Sequence, residues 1–431
     1  MNNTQYIKED LNYIFHPCSQ MKEYERNLPL IPIKSAKGVY LYDYDDNAYI
    51  DAISSWWVNL FGHSNPYINK KIKEQIDTLE HIIFAGFTHK PAIDLAKRLI
   101  QLSPDGLNKV FFADNGSSAI EIALKMSFQY YYNKGETRPY FISLENSYHG
   151  ETMGALAVGG VSLYKDIYSD ILIKTLQAKS PALHNEEEAL EDMEKLLKQY
   201  KGKVSSVIIE PLVQCAGGMA MYDASYISKL KELCNYYGVH IIADEIAVGF
   251  GRTGTMFACE QAKVTPDFMC LSKGITGGYL PLSVTLITDD IYNAFYCDYH
   301  TGKSFLDSHS YTGNPLACAA ANASLDLLEL KTTKEYNLIL ALMMKIRLKE
   351  IKKLQQVQSV RQKGLIVAIE LKKTYASRDI SLNIYRHSLQ NGVLIRPLGN
   401  VIYVMPPYII KINELDKIFD TIINAIKIIS I

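Results

Sequence analysis

An excess of charge of either sign is missing from this chain. Its 45 basic and 46 acidic residues leave a formal net charge of −1. That excludes the electrostatic footprint of a nucleic-acid-binding protein. Cysteine is sparse and unpatterned: Cys18, Cys215, Cys234, Cys259, Cys270, Cys297 and Cys318 make an odd set with no CxxC spacing. A disulfide scaffold and a cysteine metal framework are therefore not expected, and a reducing compartment is. No stretch approaches the ~20 consecutive apolar residues of a membrane span. The opening MNNTQYIKEDLNYIF is polar and carries acids, unlike a secretory signal. The expectation is a cytoplasmic protein with no metal, no membrane and no nucleic-acid partner. Internal repeats and low-complexity linkers are also lacking. Tryptophan is the scarcest residue: there are two, adjacent, at Trp56 and Trp57.

What is present is an ordinary globular balance, 48% hydrophobic and 21% charged over 431 residues. That length suits two or three domains with a large core. Between about residues 105 and 275 apolar, β-branched runs alternate with helical periodicity. Strands are expected at Lys109–Ala113, Tyr140–Leu144, Ser205–Glu210, Val239–Ala243 and Phe268–Leu271. Helices are expected from about Ser117 and over Asn185–Tyr200 and Leu316–Leu330. This alternation predicts an α/β fold with a mostly parallel sheet covered on both faces. Earlier, Gly38–Asp43 and Ala48–Asp51 flank a turn and predict a hairpin, with helices over Pro66–Glu80 and Pro91–Gln101. After about residue 335 the pattern becomes helix, strands at Gly364–Glu370 and Val401–Met405, and a terminal helix at Ile412–Ile429. The expected division is 1–60 as an arm and strands of a small domain, 61–330 as the large domain, and 331–431 completing the small one.

Two strand ends carry the chemistry. The run ending at Ala243 is followed by Asp244 and Glu245; the run ending at Leu271 is followed by Ser272-Lys273-Gly274. Ligands of open α/β sheets bind beyond the carboxyl ends of strands. A carboxylate at one such end and a lysine at another are what pyridoxal phosphate needs. The lysine holds its aldehyde covalently, and the acid pairs with its ring nitrogen so that the ring draws electrons. Either residue alone reads as well as a cap or a surface turn. Between them stands Gly249-Phe250-Gly251-Arg252-Thr253-Gly254. With that loop the stretch resembles the class III, or ω-, aminotransferases.

The resemblance implies pyridoxal-phosphate-dependent transferase fold type I: a large doubly wound, mostly parallel sheet domain and a small α+β domain from both chain ends. Lys273, Asp244 and Tyr148 would be catalytic. Asn115-Gly116-Ser117-Ser118 opens a helix after a strand, and by itself reads equally as an N-cap or a phosphate cradle. The family binds the cofactor phosphate there, through Gly116 and Ser117. Asn146-Ser147-Tyr148-His149-Gly150-Glu151-Thr152 resembles the family motif in which the tyrosine stacks on the ring; Glu151 stands where many relatives have Asp. Ser308-His309-Ser310-Tyr311-Thr312 would cross a homodimer interface, with His309 and Ser310 at the neighbour's cofactor phosphate and Ser308 at the substrate.

One subfamily is resembled more closely, the 7,8-diaminopelargonic acid synthases of biotin biosynthesis, which aminate 8-amino-7-oxononanoate. The matching segments include His16-Pro17, Ser54-Ser55-Trp56-Trp57, Gly62-His63, Phe84-Ala85-Gly86-Phe87-Thr88-His89, Val213 to Met219, Ile395 to Gly399 and Met405-Pro406-Pro407. The resemblance makes Trp56 and Cys18 substrate-lining residues. Relatives acting on ornithine or γ-aminobutyrate carry arginine where this chain has Tyr403, so Arg396 is expected to hold a carboxylate instead. Most of the subfamily uses S-adenosylmethionine as amino donor, and some members use lysine. Cys18 replaces the tyrosine of the better-known adenosylmethionine users, and His309-Ser310 is shared with lysine users, while Ile402–Tyr408 resembles the adenosylmethionine type. The expected donor is S-adenosylmethionine, with lysine as the alternative; another ω-aminotransferase, for a diamine or ω-amino acid, is the second alternative.

Overall fold

The structure is a computed structural model that describes residues 2–429. It divides into two units: residues 70–330, and residues 1–69 together with 331–431.

In the 70–330 unit, seven strands form one sheet. Their spatial order is Leu107–Ala113, Ser283–Thr288, Phe268–Leu271, His240–Asp244, Val204–Ile209, Tyr140–Leu144 and Leu176–Ala178. His240–Asp244 pairs in parallel with both neighbours, and the two strands beyond Val204–Ile209 are parallel as well. The sequence shows why. Val204–Ile209 and His240–Asp244 are buried at every position, so they read as continuous runs rather than alternating ones. Ser283–Thr288 is the exception, antiparallel to both of its neighbours. The helix Gly116–Asn133 packs Ile120, Ala123 and Leu124 into the core formed with Ile208, Ile242, Phe268 and Cys270. The fold is α/β, with the large, mostly parallel sheet expected.

The other unit holds a four-stranded sheet, Ile33–Lys37, Tyr40–Asp43, Ala48–Asp51 and Val393–Leu394. It also holds an antiparallel three-stranded sheet, Val357–Lys363, Ile366–Leu371 and Val401–Val404. The expected hairpin is there: Tyr40 pairs with Ile50 across the turn. Val393–Leu394 runs parallel to Ala48–Asp51, placing Leu394 opposite Asp51. No helix among the described residues is long and apolar enough to cross a membrane.

Several elements differ from the sequence reading. An expected arm contains the helix Asn3–Tyr13, closed by a capping box at Asn2 and burying none of its residues. The helix expected to reach Glu80 ends at Ile76, and only Ile68 of it is buried. On Lys90–Leu102 the buried face is Ala92, Leu95 and Leu99, and Ile93 is exposed. Phe128 of the helix Gly116–Asn133 is also exposed. The strands Leu176–Ala178, Ser283–Thr288 and Val357–Lys363 and the helix Arg378–Gln390 were not anticipated.

Candidate active site

Parallel pairing aligns two strand ends in the 70–330 unit. Asp244 lies opposite Cys270, so the next strand ends and turns into Ser272-Lys273 beside it. Ser272 ties the following loop down by donating its hydroxyl to the Leu282 carbonyl at 2.8 Å. Lys273 adopts φ 45°, in the left-handed region. Burial pulls its ammonium below the ordinary value of 10.5, while Asp244, then Cys215 and Glu210, pull it back up.

Asp244 is buried and held at both oxygens. The Ile246 N–H donates to Oδ1 at 3.1 Å, and His149 Nδ1 lies 2.7 Å from Oδ2. A carboxylate only accepts, so His149 Nδ1 carries the proton. The His149 side chain is fully buried, and its Nε2 has no hydrogen-bond partner among the described residues. Glu245, the next residue, has a different task. Its carboxylate accepts the N–H groups of Ala258 and Cys259 at 2.9 and 2.8 Å and closes the glycine-rich loop behind the strand.

Glu210 completes the buried set. Its oxygens accept the N–H of Tyr148 and the N–H of Cys215, both at 3.0 Å. Burial pushes its carboxyl up to about 7; His149 opposes the shift and Asp244 adds to it. Tyr148 itself is half-buried, and its hydroxyl donates to Glu151 at 3.1 Å.

The helix Gly116–Asn133 points its N-terminus at the same residues. Asn115 caps it, accepting the Ser118 N–H at 3.0 Å, and the other first-turn N–H groups have no partner within the helix. Ser117 Oγ accepts the Glu151 N–H at 3.2 Å. A Cβ on Gly150, at φ +123°, would lie 2.0 Å from Ser117 Oγ, so only glycine lets the tyrosine loop approach the helix end. A Cβ on Gly116 would meet the Ile246 side chain at 3.1 Å. Gly116, Ser117, Tyr148, His149, Asp244 and Lys273 are thus gathered by four separate elements. His309 reaches toward the same helix end, with Nε2 3.9 Å from Asp114; Ser308 and Ser310 flank it on an exposed loop.

A second group lies in the other unit. Trp56 sits in a turn, Ser54–Trp57, whose four residues all have positive φ, from 46° to 75°. A left-handed conformation costs roughly 1–2 kcal/mol per residue for L-amino acids with a Cβ. The turn sends its two indoles apart: Trp57 is buried edge-on against Tyr403 at 6.0 Å, and Trp56 is 40% exposed. The guanidinium carbon of Arg396 lies 4.5 Å from the Trp56 ring centre, a cation–π contact. Arg396 also donates a long hydrogen bond, 3.5 Å, to the carbonyl of Cys18, which is exposed. Tyr403, where other subfamilies carry arginine, is a buried core residue.

A family model described as aminotransferase class-III matches residues 21–426. The chain belongs to the class-III aminotransferases. It is 51% identical over 415 residues to the adenosylmethionine-8-amino-7-oxononanoate aminotransferase of Helicobacter pylori, covering 95% of this chain and 94% of that one. The crystal structure of the protein of the same name from Methanocaldococcus jannaschii superposes with a TM-score of 0.94 at 38% identity, covering 99% of both chains. An ω-transaminase from Pseudomonas jessenii in complex with PMP superposes with a TM-score of 0.91 at 26% identity, covering 97% of each chain.

Class-III aminotransferases use pyridoxal phosphate, and so does this one. Its residues fit the group. The depressed Lys273 amine, the doubly held Asp244 carboxylate and the buried, unpartnered His149 Nε2 lie together beside a helix N-terminus, where two glycines let the tyrosine loop and Ile246 pack close. Sequence reading did not single out Glu210, whose only signal was the Glu-Pro at a strand end. It gave His149 no role beyond its place in a motif.

Proposed function

We propose that this aminotransferase moves the amino group of S-adenosylmethionine to 8-amino-7-oxononanoate, making 7,8-diaminononanoate for biotin biosynthesis in the cytosol. What carries aminotransfer is the buried convergence of Lys273, Asp244 and His149; the names of the relatives and the Trp56–Arg396 pair support the substrates. Seven free thiols support a reducing compartment.

Gly116 and Ser117 would hold the cofactor phosphate, Tyr148 the ring face, Asp244 the ring nitrogen and Lys273 the aldehyde carbon. Pyridoxal phosphate, when bound, supplies an aldehyde for amine exchange and a ring that draws electrons from the adjacent carbon. The protein's part is proton handling and orientation. Lys273 Nζ, made less basic by burial, takes up the proton that leaves the donor α-carbon and returns it on the other side of the exchange. His149 Nδ1–H keeps the Asp244 carboxylate aimed. Glu210, by accepting the Tyr148 N–H, sets the backbone from which that ring projects. Arg396 binds the carboxylate of 8-amino-7-oxononanoate, and Trp56 lines the chain beside it.

The active form is a homodimer, with Ser308, His309 and Ser310 serving the neighbour's site. Tyr299, Leu306 and Tyr311 support this, since all three are exposed on and beside that loop and would be covered by a second copy. The donor is tested by mixing enzyme with S-adenosylmethionine or lysine, without acceptor, and following the visible absorbance. Rapid loss of absorbance with S-adenosylmethionine is expected. Loss with lysine alone would transfer the donor role to lysine.

A further inference from the structure

Asp51 is fully buried, and both of its carboxylate oxygens are engaged. Its Oδ1 accepts the Ser55 N–H at 2.9 Å and the Ile53 N–H at 3.3 Å. Its Oδ2 accepts the Ser55 hydroxyl at 2.7 Å and lies 3.0 Å from His63 Nε2. Every one of these except the last ends on the left-handed turn or its entrance. The turn needs such support, because neither Ser nor Trp favours positive φ. The Ser54 hydroxyl tethers it as well, donating to the Met405 carbonyl at 2.7 Å.

Register explains how the turn meets Arg396. Asp51 ends its strand opposite Leu394, and the Ala52 N–H donates to the Leu394 carbonyl at 3.1 Å. Parallel strands leave their pairing on the same side. One continues through Ser55 to Trp56, the other to Arg396, and the two side chains meet in the cation–π contact. Asp51 stands at the root of both paths. It touches neither Trp56 nor Arg396 through its side chain.

We infer that Asp51 is a positioning residue for substrate recognition: its carboxylate holds the Ser54–Trp57 turn left-handed and so keeps the Trp56 indole over Arg396. The inference deepens the proposed function and rests on its assignment of Trp56 and Arg396 to 8-amino-7-oxononanoate.

The test uses the holoenzyme of Asp51→Asn labelled with 5-fluorotryptophan. The chain has two tryptophans, so fluorine NMR shows two resonances, assigned with Trp56→Phe. Asparagine keeps one acceptor and loses the other, so the Trp56 resonance should shift while that of buried Trp57 stays. KM for 8-amino-7-oxononanoate should rise about tenfold, the equivalent of one lost hydrogen bond to a charged group, with kcat nearly unchanged. Ser55→Ala removes the hydroxyl bond but leaves the carboxylate charged, and should shift the same resonance less; it serves if Asp51→Asn does not fold. An unmoved Trp56 resonance in a folded variant overturns the inference. A shifted resonance with unchanged KM keeps Asp51 as the holder of the turn and overturns instead the assignment of Trp56 to the substrate.

Discussion

Glu210→Gln isolates one buried carboxylate from the rest of the site. In the wild type both oxygens accept backbone N–H groups, from Tyr148 and Cys215. Glutamine keeps one acceptor and turns an NH2 toward the other N–H, a buried mismatch worth roughly 1–3 kcal/mol. It also removes a titration. Burial raises the Glu210 carboxyl from 4.5 to about 7, with His149 opposing and Asp244 reinforcing. The folded state therefore holds this proton more tightly than the unfolded chain does. Its stabilising contribution is complete below pH 4.5 and is lost as pH rises through about 7. The amount is on the order of 3 kcal/mol. Glu245 is raised to about 7 in the same way, but it is present in both proteins and cancels. Unfolding of the cofactor-free proteins, followed across that window, should show the wild type losing more stability than Glu210→Gln as pH rises. The activity profile of the variant should lose an ionisation near pH 7. Parallel stability curves would refute the argument, because they would mean that Glu210 titrates as an ordinary surface acid.

Three further outcomes follow from the same geometry. Lys273→Ala should abolish turnover and leave the fold intact, and borohydride treatment of wild-type holoenzyme should label Lys273 and no other lysine. Arg396→Ala should reduce kcat/KM for 8-amino-7-oxononanoate by roughly 2 kcal/mol or more, since it removes one partner of a charged pair; an unchanged value would place the carboxylate elsewhere. Mixing Lys273→Ala chains with Ser310→Ala chains should give more activity than either parent, because one site of the mixed dimer carries both defects and the other none. No gain after verified subunit exchange would argue against a shared site.

Much of this fold is legible in local pattern. His240–Asp244 and Phe268–Leu271 announce themselves as apolar runs, and a charged residue follows each at the sheet edge where ligands bind. Ser283–Thr288 escaped notice because Ser and Thr interrupt its apolar run, although all but its last residue are buried. Asn3–Tyr13 escaped because it buries nothing, so only its capping box marks it. The Ser54–Trp57 turn could not be read at all. Its residues have no preference for positive φ, and its shape is imposed by Asp51, Met405 and the strand register. The same holds for Glu210 and His149. Their importance lies in burial and in partners distant in sequence, which a motif names but does not explain.

In the proposed reaction the amino nitrogen of S-adenosylmethionine ends on carbon 7 of 8-amino-7-oxononanoate. The direct measurement supplies S-adenosylmethionine carrying a nitrogen-15 amino group together with the unlabelled acceptor, and determines the product by mass spectrometry. A diaminononanoate that carries one heavy nitrogen, absent with Lys273→Ala enzyme, is the expected result. An unlabelled product, or none, from fully cofactor-loaded enzyme would contradict the claim.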